Sequence, residues 1–308
     1  IKSTDEELAV VGSVGDFEVL YEELRYITLN YRETMKSMYG EDIWDNAEEA
    51  EQYRAELEEL VYSSITYNYA ILKLCREAYI EADDPTILEA VDSYMDEFIE
   101  DIGGRSEYKS QLAENNMTDH LLRFTIAVEY CRNELSYVYI DDIGLIESDD
   151  EKIYDMIMDG GCVRTLHVYI QNGEGEDVEE NRALAEQVRE RLLAGEDITK
   201  IIGSSINEDF SLTTTDGYYF FRGEMLTQYE DTAFGIDIGA ISEVVETADG
   251  FYVIQRLPLE ETYVLLNLET LISSYQTAQL DLFIEEERDG LVFVPNEYGG
   301  GLDLTKID

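Results

Sequence analysis

Two glycines, Gly160 and Gly161, separate stretches of different periodicity, and that change constrains the chain more than any other feature. Before them, apolar residues recur at spacings of three and four, the period of helices. After them come short runs rich in valine, isoleucine and tyrosine, divided by turn residues, which is the pattern of strands. Beyond Pro258 the helical period returns over 267–290, "NLETLISSYQTAQLDLFIEEERDG", and a late strand, "LVFVPN", follows. The fold class this implies is α+β. A helical domain in two pieces, residues 1–161 and 259–308, carries a compact domain over 162–258 as an insertion. "LVFV" is expected to pair with "LAVVGSV" (8–14), which would close the split domain.

The first piece has recognisable punctuation. "ELAVVGSV" (7–14) reads as a strand ended by Gly15. Asp16 then reads as the N-cap of a helix in which Phe17, Leu20, Leu24, Ile27 and Tyr31 share a face and which Gly40 closes. A long helical pattern over 47–82 stops at Asp83-Asp84-Pro85, because proline disfavours helix in the residue before it. A helix over 86–102 ends at Gly103-Gly104. Two more occupy 106–140; Asn115-Asn116 divides them, and Thr118 caps the second. In the inserted domain the order over 163–257 is strand, helix, helix, strand, helix, strand, strand. That order suits a small antiparallel sheet surrounded by helices.

Charge narrows the classes of partner. With 70 acidic and 21 basic residues the net charge is −49. Such a surface repels nucleic acid and anionic headgroups at close range, so no nucleic-acid partner is expected. The 44% hydrophobic content marks a folded chain rather than a disordered one. No apolar run approaches the roughly 18 to 20 residues that span a bilayer. The first residue is Ile1 and not Met, the pattern of a trimmed or mature form whose leader has been removed. Cys75, Cys131 and Cys162 show no CxxC or Cys/His spacing, and their odd number argues against a disulfide framework; Cys75 and Cys131 read as buried free thiols. "GEGED" (173–177) lacks the full spacing of a calcium loop. There is no P-loop, no GxGxxG after a strand, no HExxH and no GxSxG. No metal or cofactor is expected.

Histidine is scarce: His120 and His167 are the only two. His120 lies in the first turn of a helix beside Asp119 and Arg123, with no ligand pattern, and reads as a surface or boundary residue. His167 sits in the middle of the strand "VRTLHVYI" (163–170). A hydrogen-bonded core residue and a site residue both fit that position.

The whole stretch 163–257 resembles a parvulin-type peptidyl-prolyl cis-trans isomerase domain. The residues that carry the resemblance are the Arg-x-x-His-hydrophobic pattern of "VRTLHVYI", the short helix and acidic loop of "AGEDITKIIGSSINEDFS", and "FFRGEMLTQYEDTAFGIDIGAISEVVETADGFYVIQRL". The last run keeps the family's aromatic, Arg-Gly-x-Met, the aromatic four residues later, Ala-Phe, Gly-x-Ile-Ser-x-Val and the Gly-led final strand. The flanking pattern, with "SQLAENNMTDHLLRFTIAVEYC", is similar to the PrsA and SurA class of exported foldases.

Carried over position by position, the resemblance implies catalytic roles for His167, Asp209, Tyr252 and Thr247. Asp209 matches a position held by cysteine or aspartate, and Thr247 a small hydroxyl residue behind the histidine. Met225 and Tyr229 match residues lining the proline pocket, and Tyr218 and Phe221 are further candidates for its wall. Phe234 reads as core. Two departures stand out. Tyr252 occupies the usual place of a second histidine, and "TDGYY" (215–219) replaces the family's "GGDLG". Tyrosine can donate a hydrogen bond much as neutral histidine does. The stretch after the first strand, "QNGEGEDVEENR", is acidic where phosphate-selective relatives are basic, so no preference for a phosphorylated residue is expected.

The resemblance implies an extracytoplasmic foldase and chaperone that acts on unfolded or proline-containing polypeptides. It also implies a membrane tether through a lipid anchor lost from this form, and the broad apolar helices suit a homodimer. Two other readings stay open. One is a peptide-binding chaperone whose parvulin fold has lost catalysis, motivated by Tyr252 and "TDGYY". The other is an acidic surface protein that uses both domains for docking alone, for which 23 tyrosines would supply contact area.

Overall fold

The computed structural model describes residues 3–40, 42–44, 50–173, 178–211 and 216–308. The chain divides into two compact units, residues 1–143 with 283–308 and residues 144–282. The architecture is α+β.

In the first unit a short sheet joins the two ends of the chain. β1 (Val10–Val14) pairs antiparallel with β2 (Phe17–Leu20) and with β7 (Phe293–Pro295). The expected pairing of the late strand with the early one is present, Val14 opposite Phe293. Residues 17–20 are strand, not the first helical turn expected after Asp16. The reason is the hairpin loop Gly15-Asp16. A two-residue loop of this kind needs positive φ at its first position, and Gly15 supplies it at 56°. Phe17 and Val19 then alternate with exposed Glu18. Gly12 is the contact point with β7, since a Cβ there would lie 2.5 Å from the Phe293 ring.

The helices of this unit are α1 (Tyr21–Tyr39), α2 (Ala50–Glu77), α3 (Pro85–Asp101), α4 (Arg105–Glu114) and α5 (Asp119–Tyr137). Asp84 caps α3 by accepting the Thr86 N–H, with Pro85 in the first turn, where its missing donor costs nothing. Thr118 caps α5 by accepting the Leu121 N–H, as expected. Val11, Val14 and Val19 of the sheet, Leu57, Val61 and Ile65 of α2, and Val128 and Leu135 of α5 are almost wholly buried. His120 is half exposed, but its Nδ1 pairs with the buried carboxylate of Glu22. It is the boundary residue expected, and it is also the partner of an interior acid.

The second unit opens with α6 (Asp150–Met156) and is built on a four-stranded sheet. The sheet strands are β3 (Val163–Gln171), β4 (Tyr218–Phe220), β5 (Val245–Glu246) and β6 (Gly250–Leu257), in the order β4-β3-β6-β5 with antiparallel neighbours. Helices α7 (Val178–Leu193), α8 (Ile198–Ile202), α9 (Thr227–Gly235) and α10 (Glu261–Leu266) surround it. α11 (Leu268–Asp289) begins in this unit and ends in the other.

The period of two along β3 sorts its residues. Leu166, Val168 and Ile170 face α7 and α8, where they pack with Ala185, Val188, Leu192 and Ile201. The alternate residues, with Val163 among them, turn to the opposite face. There Val163, Phe220, Tyr229, Ala233 and Ile254 form a second cluster under α9. His167 belongs to this second face, directly across from Ile254 of β6.

The seams between units fall at 143/144 and 282/283, whereas the change of texture in the sequence falls at 161/162 and 258/259. The difference comes from a third cluster. Ile153 and Ile157 before β3 and Val264, Leu271 and Ala278 after β6 pack around Cys162 and Phe221. Helical flanks therefore share a core with the inserted sheet.

Candidate active site

A cavity of about 360 Å³ opens on the α9 face of the sheet. His167 stands in its floor, 4% exposed. Both ring nitrogens are engaged: Nδ1 lies 2.9 Å from the Tyr229 hydroxyl and Nε2 lies 3.0 Å from Asp209 Oδ2. Asp209 is ionised and can only accept, so Nε2 carries a proton. In the neutral ring Nδ1 is then the acceptor, and Tyr229 donates to it. Thr165 Oγ1 lies 2.8 Å from the same tyrosine oxygen and completes the chain by donating to it. Thr165, Tyr229, His167 and Asp209 thus form one directed line of hydrogen bonds.

Asp209 is saturated. Oδ2 also accepts from the Tyr218 hydroxyl at 2.8 Å, while Oδ1 accepts from the backbone N–H and the hydroxyl of Ser211, at 2.9 and 2.6 Å. The bond from His167, reinforced by those from Ser211 and Tyr218, holds the carboxyl well below the usual carboxylate range against the opposing effect of burial. The segment carrying it is pinned to the open edge of β3: Glu208 N–H donates to Tyr169 C=O at 2.9 Å, and Tyr169 N–H donates to Asn207 Oδ1 at 2.9 Å.

Three aromatic rings contact the imidazole, and a fourth backs one of them. Tyr218 stacks on it at 5.4 Å and 11°, and Tyr229 and Tyr252 meet it edge-on at 5.4 and 5.1 Å. Tyr169 stacks on Tyr252 at 4.5 Å, since the two face each other across β3 and β6. Burial pushes the Tyr252 hydroxyl up to about 12, with the charges of Tyr169 and Asp209 adding to the effect, so it is a proton donor at neutral pH. Met225 and Leu226 supply the apolar wall.

The structure brings six of the eight residues singled out in the sequence to this cavity: His167, Asp209, Tyr252, Met225, Tyr229 and Tyr218. Two lie elsewhere. The Thr247 hydroxyl donates to Gly250 C=O at 3.0 Å and closes the β5–β6 turn; it does not back the histidine, whose Nδ1 is taken by Tyr229. Phe221 lies one residue past β4 and points into the α6–α10–α11 cluster, 1% exposed, instead of the cavity wall. Phe234 packs beside Phe220 as core. Sequence reasoning missed Thr165, Tyr169, Leu226 and Glu208. The alternation of β3 was a signal for the first two, because they share the histidine's face. "TDGYY" is described only from Asp216 onward, and residues 174–177 of "GEGED" lie outside the described residues. Among the described residues no group of three or more His, Cys, Asp or Glu is arranged to hold a metal ion.

Residues 167–257 match the Rotamase family model, the PPIC-type PPIase domain. Over 255 residues, 80% of this chain and 72% of the relative, the chain is 20% identical to the foldase protein PrsA of Caldanaerobacter subterraneus subsp. tengcongensis. It is 24% identical to the foldase protein PrsA of Halalkalibacterium halodurans over 213 residues, 64% of this chain and 60% of that protein. A crystal structure of the peptidylprolyl isomerase PrsA from Bacillus anthracis covers 73% of this chain and 94% of its own at 16% identity, with a TM-score of 0.38. The domain built on β3–β6 is a parvulin-type peptidyl-prolyl cis-trans isomerase. The chain that carries it is similar to PrsA foldases over most of its length.

Proposed function

We propose that the protein acts outside the cytoplasm on unfolded, proline-containing polypeptides, with 162–258 as the isomerase and the helical pieces 1–161 and 259–308 as the chaperone part that holds the client. Prolyl isomerisation makes no covalent bond. Its barrier of roughly 18 to 20 kcal/mol is the loss of amide resonance, so the enzyme has only to bind the twisted amide better than the planar one. The pyrrolidine ring enters the cavity against Met225, Leu226, Tyr229 and Tyr252. As the amide twists, its nitrogen regains a lone pair. The hydroxyl of Tyr252, which has no hydrogen-bond partner among the described residues, donates to that nitrogen. His167 and Asp209 keep the floor polar and fixed, so no reorganisation is needed when the charge on the amide changes.

The observation that carries this reading is the directed line from Thr165 to Asp209 beneath an apolar cavity. The acidic wall also supports indifference to phosphate, since none of the described lining residues is Lys or Arg. A lipid tether and a homodimer belong to the same reading. Among the described residues no helix is long and apolar enough to cross a membrane. The test is isomerisation of an unphosphorylated Ala-Xaa-Pro-Phe peptide series by the wild type, His167→Ala and Asp209→Ala. Acceleration reduced by both substitutions supports the reading. Binding of proline peptides without acceleration would make the site one for grip alone.

A further inference from the structure

Two carboxylates, Glu208 and Asp209, line the proline cavity and a third, Asp249, belongs to the turn that holds the Tyr169 hydroxyl; they are not equivalent. Asp209 spends its acceptor capacity inside the site, on His167, Tyr218 and Ser211. Asp249 is exposed on the β5–β6 turn, where its C=O takes the Tyr169 hydroxyl at 2.9 Å. Glu208 differs from both. Its Oε2 is anchored by the Gln171 N–H at 2.6 Å, while Oε1 has no partner among the described residues. The anchoring fixes the side chain, so a ligand that meets Oε1 loses little further side-chain freedom by binding there.

Glu208 shares the cavity lining with the stacked pair Tyr169 and Tyr252. The charges of Asp249, Glu208 and Asp209 all reach the Tyr169 hydroxyl and help to raise it, after burial. The nearby cation Arg182 is bound to Glu246 and lies over the Phe251 ring. A fixed carboxylate in a cavity lined by half-buried tyrosines, with no Lys or Arg among the described lining residues, can receive a positively charged side chain, by an ion pair with Oε1 and a contact with an aromatic ring.

We propose that Glu208 determines specificity for the residue next to proline in the substrate, and that it selects lysine or arginine there. The inference rests on the isomerase reading of the cavity and names the substrate class of that site.

The experiment measures kcat/KM of the full chain on Ala-Xaa-Pro-Phe peptides with Xaa as Lys, Leu or Glu, at low and high salt, for the wild type, Glu208→Gln and Glu190→Gln. Glu190 is exposed on α7 and removes the same unit of charge elsewhere in the domain. A half-exposed ion pair supports about a fivefold advantage of Lys over Leu at low salt, with Glu below both, and screening shrinks it at high salt. In Glu208→Gln the Lys/Leu ratio falls to near one; in Glu190→Gln it stays. A wild type that turns over all three peptides equally overturns the inference and leaves the isomerase reading intact. A Lys preference that survives in Glu208→Gln comes from the charge of the whole chain and also overturns it. If no peptide is turned over, the isomerase reading fails. Equilibrium binding of the same three peptides then decides the inference by the same ratios.

Discussion

The Nε2 of His167 and the Oδ2 of Asp209 lie 3.0 Å apart, and this contact joins the central strand to the loop that closes the cavity. Replacing Asp209 by Asn removes the charge but keeps the shape. A hydrogen bond to a charged group contributes about 1.5 to 3 kcal/mol, so kcat/KM should fall about 10- to 100-fold. Stability should report the same contact. The folded carboxyl lies below its ordinary value, so its contribution is present above the unfolded pKa of about 3.9 and is lost as pH falls through the lower folded value. Melting of the wild type and Asp209→Asn at pH 7, 5 and 3 checks this. The gap between them should hold from pH 7 to 5 and narrow only below about pH 4. A gap that closed near neutral pH would mean that Asp209 is not held ionised by His167.

Phe221 and Met225 lie four residues apart, yet they serve different cores. Phe221 is 1% exposed among Ile153, Val264 and Tyr275. Its replacement by Ala should cost about 3 to 5 kcal/mol of stability, the usual range for a buried phenylalanine. Met225 lines the cavity and is only partly buried, so Met225→Ala should raise KM for proline peptides with a much smaller change in melting. Urea unfolding and peptide kinetics on both variants test the assignment. A raised KM in a stable Phe221→Ala protein would return Phe221 to the pocket wall.

The contrast shows which parts of the site are legible in sequence. Alternation along "VRTLHVYI" places His167 on the face opposite Leu166, Val168 and Ile170, and the late strand is readable as the partner of the early one, because both signals are local or symmetric. Tyr252 follows from register, since it stands opposite Tyr169. Phe221 misleads because an aromatic residue next to the Arg-Gly-x-Met run reads as pocket wall, whereas Tyr219 and Phe221 both turn away from the side of Tyr218 and Phe220 and join the α6–α10–α11 cluster. Thr247 misleads because a hydroxyl beside a tight turn has a nearer acceptor in Gly250 than any side chain across the sheet. The Glu22–His120 pair is invisible for another reason. Its members lie 98 residues apart on α1 and α5, and neither carries a local pattern that names the other.

Glu23, next to that pair, makes the stability of the first unit depend on pH. It is 4% exposed, and its carboxylate accepts from the Tyr69 hydroxyl at 2.6 Å and from Asn68 Nδ2 at 3.5 Å. Burial raises its pKa from 4.5 to about 7, the charge of Glu22 adds to the rise, and the two donors oppose it. The neutral form is therefore the one the fold prefers. Its stabilising contribution is full below the unfolded value of 4.5 and is lost as pH rises through about 7. Glu23→Gln stays neutral and keeps an acceptor for Tyr69, so it should escape this loss. By linkage the mutant should gain about 2 to 3 kcal/mol on the wild type between pH 5 and pH 8. Denaturant unfolding of both proteins at the two pH values measures that change. A constant difference would mean that Glu23 has the same pKa folded and unfolded, and that Tyr69 and Asn68 offset the whole cost of its burial.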